Sequence, residues 1–167
     1  HPLPDSIWWD FNANDATSAN TANKIVQRDA SGDFAANIIT ATATTARYAD
    51  LAEIYGADEA IEPGTVVMMA GEGKVKPCDE GGSTKVAGVI STAPAYLMNN
   101  EADGVAVALA GRVPVKMVGG VKAGDLLESA GEGAARLAKE PKPGAIIGKA
   151  LHDADEDGVV EMLAIMM

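Results

Sequence analysis

The sequence predicts an all-β protein in which a short intertwined trimeric segment precedes a duplicated β-barrel-like domain. Three observations support this fold class: two stretches repeat each other, 18 glycines punctuate the chain, and aromatic residues make up only 4% of it. Many tight turns that join short β-prone runs are typical of barrels and sandwiches. We place the trimerisation segment at residues 1–47 and the head domain at residues 48–167.

The internal repeat is the strongest of these observations. Residues 62–73 match residues 122–133, sixty positions later, and both stretches contain the run Ala-Gly-Glu-Gly. The segment 103–105 is echoed at 157–159 with a shorter spacing, because the first copy carries extra residues near position 97. Two copies of one folding unit predict a barrel or sandwich with a pseudo-twofold axis. The two copies span residues 62–110 and 122–167.

The segment before the head domain has an unusual composition. Of the 35 residues from 12 to 46, 21 are Ala, Thr or Asn. The large apolar side chains are few, and ordering a backbone costs roughly 1–2 kcal/mol per residue, so the segment should not fold alone. Disorder and burial against identical segments of neighbouring chains both remain open. The turn predicted at residues 29–32, between two short β-prone runs, favours burial in an intertwined homotrimer.

The junction at residues 46–55 fits two structures. Tyr48, Leu51 and Tyr55 share one face of a short helix, whereas Leu51, Glu53 and Tyr55 alternate as on a strand, and ten residues do not decide between these. Under either reading the junction contributes to the trimer interface. The predicted interface residues are Ile25, Val26, Phe34, Ile38, Ile39, Tyr48, Leu51 and Tyr55.

From residue 61 onward the sequence predicts strands separated by turns. The turns are marked by Gly and Pro, as at residues 62–64 and 71–73. The last strand ends in apolar residues and should be held in the core. We expect strands at 65–70, 74–77, 86–91, 105–109, 111–118 and 159–167, together with those of the second repeat after residue 122.

Charge and composition argue against several classes of partner. The net charge is −11, which would repel a phosphate backbone, so nucleic acid is not an expected partner. The apolar runs are far shorter than the roughly 20 residues that a membrane-spanning helix needs, so no membrane insertion is expected. The single cysteine, Cys78, predicts neither an internal disulfide nor a cage of cysteine ligands.

Catalytic and metal-binding patterns are weak, so the sequence predicts no enzyme, cofactor or metal site. His152 has no Ser in a nucleophile-elbow pattern to act with. Residues 153–158 begin like a calcium loop, but the twelfth position is Ala164 where a Glu is needed, and a hairpin turn is the favoured interpretation. Asp50 and Glu53 could form a carboxylate pair, although such charges more often fix the end of an element.

A loop at residues 92–100 is the candidate receptor-binding site. It is an insertion relative to the second repeat, and loops at barrel ends commonly carry function. Packing between subunits is an equally good explanation of the same loop. The candidate receptor-binding residues are Tyr96, Leu97, Met98, Asn99 and Asn100.

Several motifs, in order, resemble those of a known class of proteins. Residues 49–55 read Ala-Asp-Leu-Ala-Glu-Ile-Tyr and residues 62–67 read Glu-Pro-Gly-Thr-Val-Val, with further motifs at 86–96 and 107–115. With these motifs, residues 48–167 resemble the C-terminal domains of tailed-bacteriophage tail fibres, and are similar to the intramolecular-chaperone autocleavage domains at the ends of phage fibres. Residues 24–34 resemble the short repeats of trimeric fibre shafts.

The resemblance implies a virion protein of the tail fibre, located at or near its distal tip. Its implied partners are two further copies of itself, other phage tail proteins and a host cell-surface receptor such as a glycan. Two alternatives remain at this stage. One is an intramolecular-chaperone autoprotease domain that uses Asp50 and Glu53, and the other is a β-barrel that decorates a capsid.

Overall fold

The computed structural model describes residues 16–19, 21–22, 24–34, 36 and 50–165. The chain divides into two compact units, residues 1–44 and residues 45–167. In the described ranges all regular secondary structure is strand, which confirms the predicted all-β class. These ranges contain no helix with the length and apolar character needed to cross a membrane.

The first unit contains two short strands and a turn. Strands β1 (Ala16–Thr17) and β2 (Ile25–Val26) pair in parallel. The predicted turn at residues 29–32 is present, because the Gly32 amide donates to the Asp29 carbonyl at 3.0 Å. The Asp29 side chain holds the turn by accepting from the amides of Ser31 and Asp33, each at 2.9 Å. None of the described residues of this unit is buried.

The second unit contains ten strands. They are β3 (Asp50–Tyr55), β4 (Val66–Gly71), β5 (Lys74–Pro77), β6 (Val86–Ile90), β7 (Tyr96–Met98), β8 (Val105–Met117), β9 (Leu126–Gly131), β10 (Ala134–Leu137), β11 (Ile146–Ala150) and β12 (Gly158–Ile165). The junction that the sequence left open is therefore a strand from residue 50 onward. Tyr48 lies outside the described residues.

Five of these strands close into a barrel. Their order is β10–β9–β11–β12–β8, and the ring closes where Ala135 of β10 pairs in parallel with Met117 of β8. Side chains alternate between the inside and the outside of the barrel along each strand. On β12, Val160, Met162 and Ala164 are buried, while the residues between them are exposed. The side chains that fill the barrel include Val115, Leu127, Ile147, Val160 and Met162.

Strand β8 joins this barrel to the remaining strands. The sequence predicted two strands here, 105–109 and 111–118, but the structure has one strand of 13 residues. Gly111 lies in its middle with a φ of 105°, paired with Asp50 on one side and with Ala164 on the other. Glycine adopts this φ without a steric cost, so the strand continues through this residue.

The first half of β8 supports the other strands. It pairs with β3 on one side and with β6 on the other, and β4 lies between β6 and β5. An isolated bridge between Gly56 and Lys74 connects the end of β3 to the start of β5. A second apolar cluster fills this part of the unit, formed by Val67, Val75, Ala87, Ile90 and Val107.

Two hairpins have the same turn. Strands β4 and β5 are joined at Gly71, Glu72 and Gly73, which have φ values of 92°, 50° and 72°. Strands β9 and β10 are joined sixty residues later by the same three residue types, with φ values of 92°, 51° and 72°. Equal sequence at these two turns goes with equal backbone conformation.

Candidate binding surfaces

The predicted receptor-binding segment lies along an edge of the second unit. Residues 96–98, expected to be loop, form strand β7, which pairs in parallel with β3. The Tyr96 side chain is 66% exposed, whereas Leu97 and Met98 are half-buried. An exposed tyrosine on a strand presents an aromatic face and a hydroxyl on a fixed backbone, which suits contact with a sugar.

Hydrogen bonds fix both ends of this segment. Ahead of it, the Ala95 amide donates to the carbonyl of Asp50 at 2.8 Å. Behind it, Asn99 Nδ2 donates to the carbonyl of Ile54 at 3.0 Å, and Asn99 has a φ of 55°. Asparagine tolerates this left-handed conformation better than most residues. Asn99 is thus a structural residue of the turn, while Tyr96 and Asn100 are exposed.

The predicted trimer-interface residues fall into three groups. In the first unit, Ile25, Val26 and Phe34 are 40%, 61% and 44% exposed. In the second unit, Leu51 and Tyr55 are half-buried on β3. Ile38, Ile39 and Tyr48 lie outside the described residues.

Tyr55 belongs to the packing of its own unit. Its ring packs against the second apolar cluster, and its hydroxyl donates to Glu53 Oε2 at 3.1 Å. Burial of the ring, and then the Glu53 carboxylate, raise the pKa of the Tyr55 hydroxyl above its ordinary value. Both effects keep Tyr55 protonated as a hydrogen-bond donor.

The candidate carboxylate pair is separated by strand geometry. Asp50 and Glu53 lie three residues apart on β3, and side chains of a strand alternate between its two faces. Glu53 shares its face with Tyr55, whereas the buried Asp50 shares the opposite face with the buried Ala52. The Asp50 Oδ2 atom is buried and has no hydrogen-bond partner among the described residues.

The acidic turn at residues 153–158 is tied to the barrel by its carboxylates. Lys122 Nζ lies 3.2 Å from Asp153 and 3.3 Å from Asp155. Backbone amides occupy other oxygens: Ala123 donates to Asp153 at 2.9 Å and Gly119 donates to Asp157 at 2.7 Å. The carboxylates therefore act as turn and ion-pair residues.

The second unit has a charged cleft that the sequence did not predict. It lies between the barrel strands β9 and β10 and the segment that follows β5. The Glu128 side chain is only 9% exposed, and its Oε1 atom accepts from Arg136 Nε and Nη2, each at 2.9 Å. Gly81 and Gly82 pack directly against this pair, because a Cβ on Gly81 would lie 3.1 Å from Arg136 Nη2. The cleft has a volume of about 440 Å³ and is lined by Gly81, Gly82, Glu128, Arg136, Leu137, Lys139, Glu140 and Lys142.

One sequence signal could have pointed to this cleft. Glu128 stands sixty residues after the buried Met68, so a carboxylate replaces an apolar side chain at a matching strand position. A buried carboxylate requires a cationic partner, and Arg136 on the next strand supplies it.

Comparison with solved structures shows a likeness in fold. No protein-family model and no curated protein sequence matches the chain. Among solved structures, the chain is similar to the pre-mature gene product 12 of bacteriophage phi29, with 17% identity and a TM-score of 0.56 over 80% of this chain. The match spans 23% of the length of that protein. The N base of the head fibre gp8.5 of bacteriophage phi29 gives 20% identity and a TM-score of 0.39, over 66% of this chain and 89% of that one. The likeness to gene product 12 shows a shared fold.

Proposed function

We propose that the chain is part of a bacteriophage fibre, in which three copies assemble and the second unit contacts the host surface. The observation that carries this proposal is that three large apolar side chains of the first unit, Ile25, Val26 and Phe34, are exposed in a single chain. It is supported by the fold shared with gene product 12 of phage phi29. A location in the tail fibre of the virion, next to other tail proteins, is part of the same proposal.

The exposure of three side chains supports trimerisation. Ile25, Val26 and Phe34 lie on or near β2, and all three are large, apolar and at least 40% exposed. Leaving a side chain of this size in water forgoes about 1.5–3 kcal/mol of burial free energy. Identical segments of two further chains can bury these side chains while the Ala- and Thr-rich backbone allows close approach. Assembly and folding of this unit are then coupled.

Native mass measurement tests the trimer. The wild-type chain should have three times the mass of one copy, and the double variant Val26→Asn, Phe34→Asn should be a monomer. Gln27→Asn is the matched control, because Gln27 neighbours Val26 and is exposed and polar. It should remain trimeric. A monomeric wild-type protein at micromolar concentration would contradict the proposal.

Host attachment is assigned to Tyr96 and its neighbours on β7. The strand is short, and its backbone is held by β3, so Tyr96 is presented with little loss of conformational freedom on binding. Aromatic stacking on a sugar ring, with the Asn100 amide as a hydrogen-bonding group beside it, is the expected mode of contact. The ligand class is therefore a surface glycan of the host.

A glycan array tests this assignment. Bacterial surface polysaccharides immobilised on the array should bind the wild-type protein, and Tyr96→Ala should lose that binding while keeping its native mass. Val159→Ala is the matched control, since Val159 is 65% exposed and lies on a different strand. Equal binding by Tyr96→Ala and wild type would remove β7 from the attachment site without affecting the trimer.

Self-cleavage is a second candidate function because of Asp50. A buried carboxylate oxygen without a partner is costly and is a common feature of reactive sites. The test is the intact mass of the protein produced as a longer chain. A cleavage product that disappears in Asp50→Asn and persists in Glu53→Gln would support an autoprotease centred on Asp50. Full-length wild-type protein after prolonged incubation would rule it out.

A further inference from the structure

The two matching hairpin turns have different surroundings. We call Gly71, Glu72 and Gly73 tip 1, and the corresponding residues 131–133 tip 2. Both glycines of tip 2 are buried, whereas all three residues of tip 1 are exposed. The same turn is therefore docked in one place and free in the other.

Tip 2 docks on the ends of β4 and β5 through its backbone. The amide of Val66 donates to the carbonyl of Gly133 at 2.8 Å, and the amide of Gly133 donates to the carbonyl of Cys78 at 2.9 Å. The amide of Gly82 adds a bond to the carbonyl of Ser129 at 2.8 Å. A Cβ on Gly133 would lie 2.6 Å from Thr65 Cγ2, so the contact requires glycine for space as well as for φ.

Tip 1 has the same backbone conformation, but no docking partner among the described residues of its own chain. A Cβ built on Gly71 or on Gly73 would meet no described atom within 4 Å. Its backbone nevertheless has the φ values that allow tip 2 to dock. Tip 1 is thus preformed for a contact of the same kind, and a preformed turn loses little entropy on binding.

A matching receiving surface exists on the other half of the unit. The first receiving surface, on which tip 2 docks, contains Val66 and Cys78, and the second contains Leu126 and Ala138, sixty residues later. In the first, the Cys78 amide donates to the Val66 carbonyl at 2.9 Å. In the second, the Ala138 amide donates to the Leu126 carbonyl at 2.8 Å. The charged cleft opens beside this surface, with Leu137 in its lining. Where tip 2 covers the first surface, the second surface borders an open cleft.

Charge favours tip 1 as the occupant of this second surface. Tip 1 carries the exposed Glu72. The first receiving surface has Asp79 and Gly82 where the second has Lys139 and Lys142. In a chain with a net charge of −11, two lysines beside an open surface attract an acidic tip.

We propose that tip 1 of one copy docks on the receiving surface of a neighbouring copy, at Leu126, Leu137 and Lys139. The contact reproduces between chains the docking that tip 2 makes within the chain. Because the tip and the surface are different patches, the contact is heterologous, and three copies close it into a ring. This inference rests on the homotrimer proposed above and adds the contact that orders its second units.

Disulfide cross-linking tests the contact in the full chain. The native Cys78 is buried, so cysteines placed at other positions give a clean signal. The double variant Glu72→Cys, Lys139→Cys should form covalent dimers and trimers on a non-reducing denaturing gel. The matched control is Glu132→Cys, Lys139→Cys, which puts the first cysteine on tip 2. It should form no covalent oligomer, because tip 2 docks within its own chain.

The outcomes separate this inference from the proposed trimer. A trimer by native mass that yields no covalent oligomer, or only an intrachain disulfide, would overturn the docking of tip 1 and leave the trimer intact. A monomer by native mass with no cross-link would overturn both. A cross-link that survives in the Val26→Asn, Phe34→Asn background would show that tip docking assembles the second units even without the first.

Charge reversal gives an independent measurement. Glu72→Lys should weaken association by about tenfold, because it turns the attraction to Lys139 into repulsion. Adding Lys139→Glu to that variant should restore association, and Glu132→Lys should leave it unchanged. Equal association constants for wild type, Glu72→Lys and the double variant would contradict the proposed contact.

Discussion

At the residue scale, close backbone approach decides which glycines matter. Gly148 on β11 lies against β12, where a Cβ would be 2.2 Å from the Leu163 carbonyl oxygen. Gly158, at the start of β12, would meet nothing within 4 Å. Neither glycine has a positive φ, so the two differ in the space around them and not in backbone strain.

Alanine at these two positions should therefore have unequal effects. Gly148→Ala must displace β12 and should cost about 1–3 kcal/mol or more of unfolding free energy, as overpacking does. Gly158→Ala should stay within about 0.5 kcal/mol of wild type. Urea denaturation followed by circular dichroism measures both. Equal stabilities of the two variants would mean that β11 and β12 are not as close as the structure has them.

Asp153 should make the free energy of unfolding depend on pH in the acidic range. The Ala123 amide, and then the Lys122 ammonium, lower the pKa of its carboxyl below the ordinary value, while Asp155 shares the same lysine and His152 precedes it. A folded-state pKa below the unfolded one stabilises the fold above the unfolded pKa of about 3.9, and that stabilisation is lost as pH falls through the folded pKa.

The variant Asp153→Asn isolates this effect. It should be less stable than wild type at neutral pH, and the difference should shrink as the pH falls below about 4, where wild type is protonated too. Glu156→Gln is the control, because within the described residues Glu156 makes no hydrogen bond or ion pair. Urea midpoints at several pH values give the result, and a pH-independent difference would exclude the ionic explanation.

At the element scale, the sequence predicted strands well where a turn bounded them. The expected strand at residues 74–77 coincides with β5, because Gly71 to Gly73 fixes its start. The sequence predicts two strands where the structure has the single strand β8, because a glycine inside an apolar run is the usual sign of a break. The sequence predicts a loop where β7 lies, because β7 forms only by pairing with β3, more than forty residues earlier in the chain. Such pairing leaves no local pattern.

The same reasoning explains what was missed at the binding surfaces. The exposure of Ile25 and Val26 could be anticipated from the composition around them. The charged cleft could not, since Gly81 and Gly82 had the pattern of an ordinary turn, and their contact with Arg136 depends on how distant strands pack. Only the carboxylate at position 128, in a strand pattern that otherwise predicts burial, gave a local signal.

Strand β12 tests how far one element supports the barrel. Met162 is fully buried in it, whereas Met69 on β4 is 46% exposed. Met162→Ala should cost about 2–5 kcal/mol of unfolding free energy through lost burial and a residual cavity. Met69→Ala removes the same atoms from a partly solvated site and should cost much less. Comparable losses in the two variants, measured by urea denaturation, would contradict the closed barrel.

At the scale of the whole molecule, the two units differ in how they can be stable. The second unit has two apolar clusters of its own, so it can fold as one chain. The first unit has no buried residue in its described part, so the described residues form no apolar core of their own. In the proposed trimer, association would supply its stability. If the proposed trimer forms, one chain combines a unit with its own apolar core and a unit whose folding depends on protein concentration.

Thermal unfolding at different concentrations separates these two sources of stability. Association stabilises the folded form by mass action, so the melting temperature of wild type should rise as the protein concentration is raised from micromolar to hundreds of micromolar. The Val26→Asn, Phe34→Asn variant should melt at a concentration-independent temperature, because its second unit unfolds alone. Gln27→Asn should follow wild type. A wild-type melting temperature that does not change with concentration, with a monomeric native mass, would show that the first unit is not held by sister chains, and the fibre assignment would lose its physical basis.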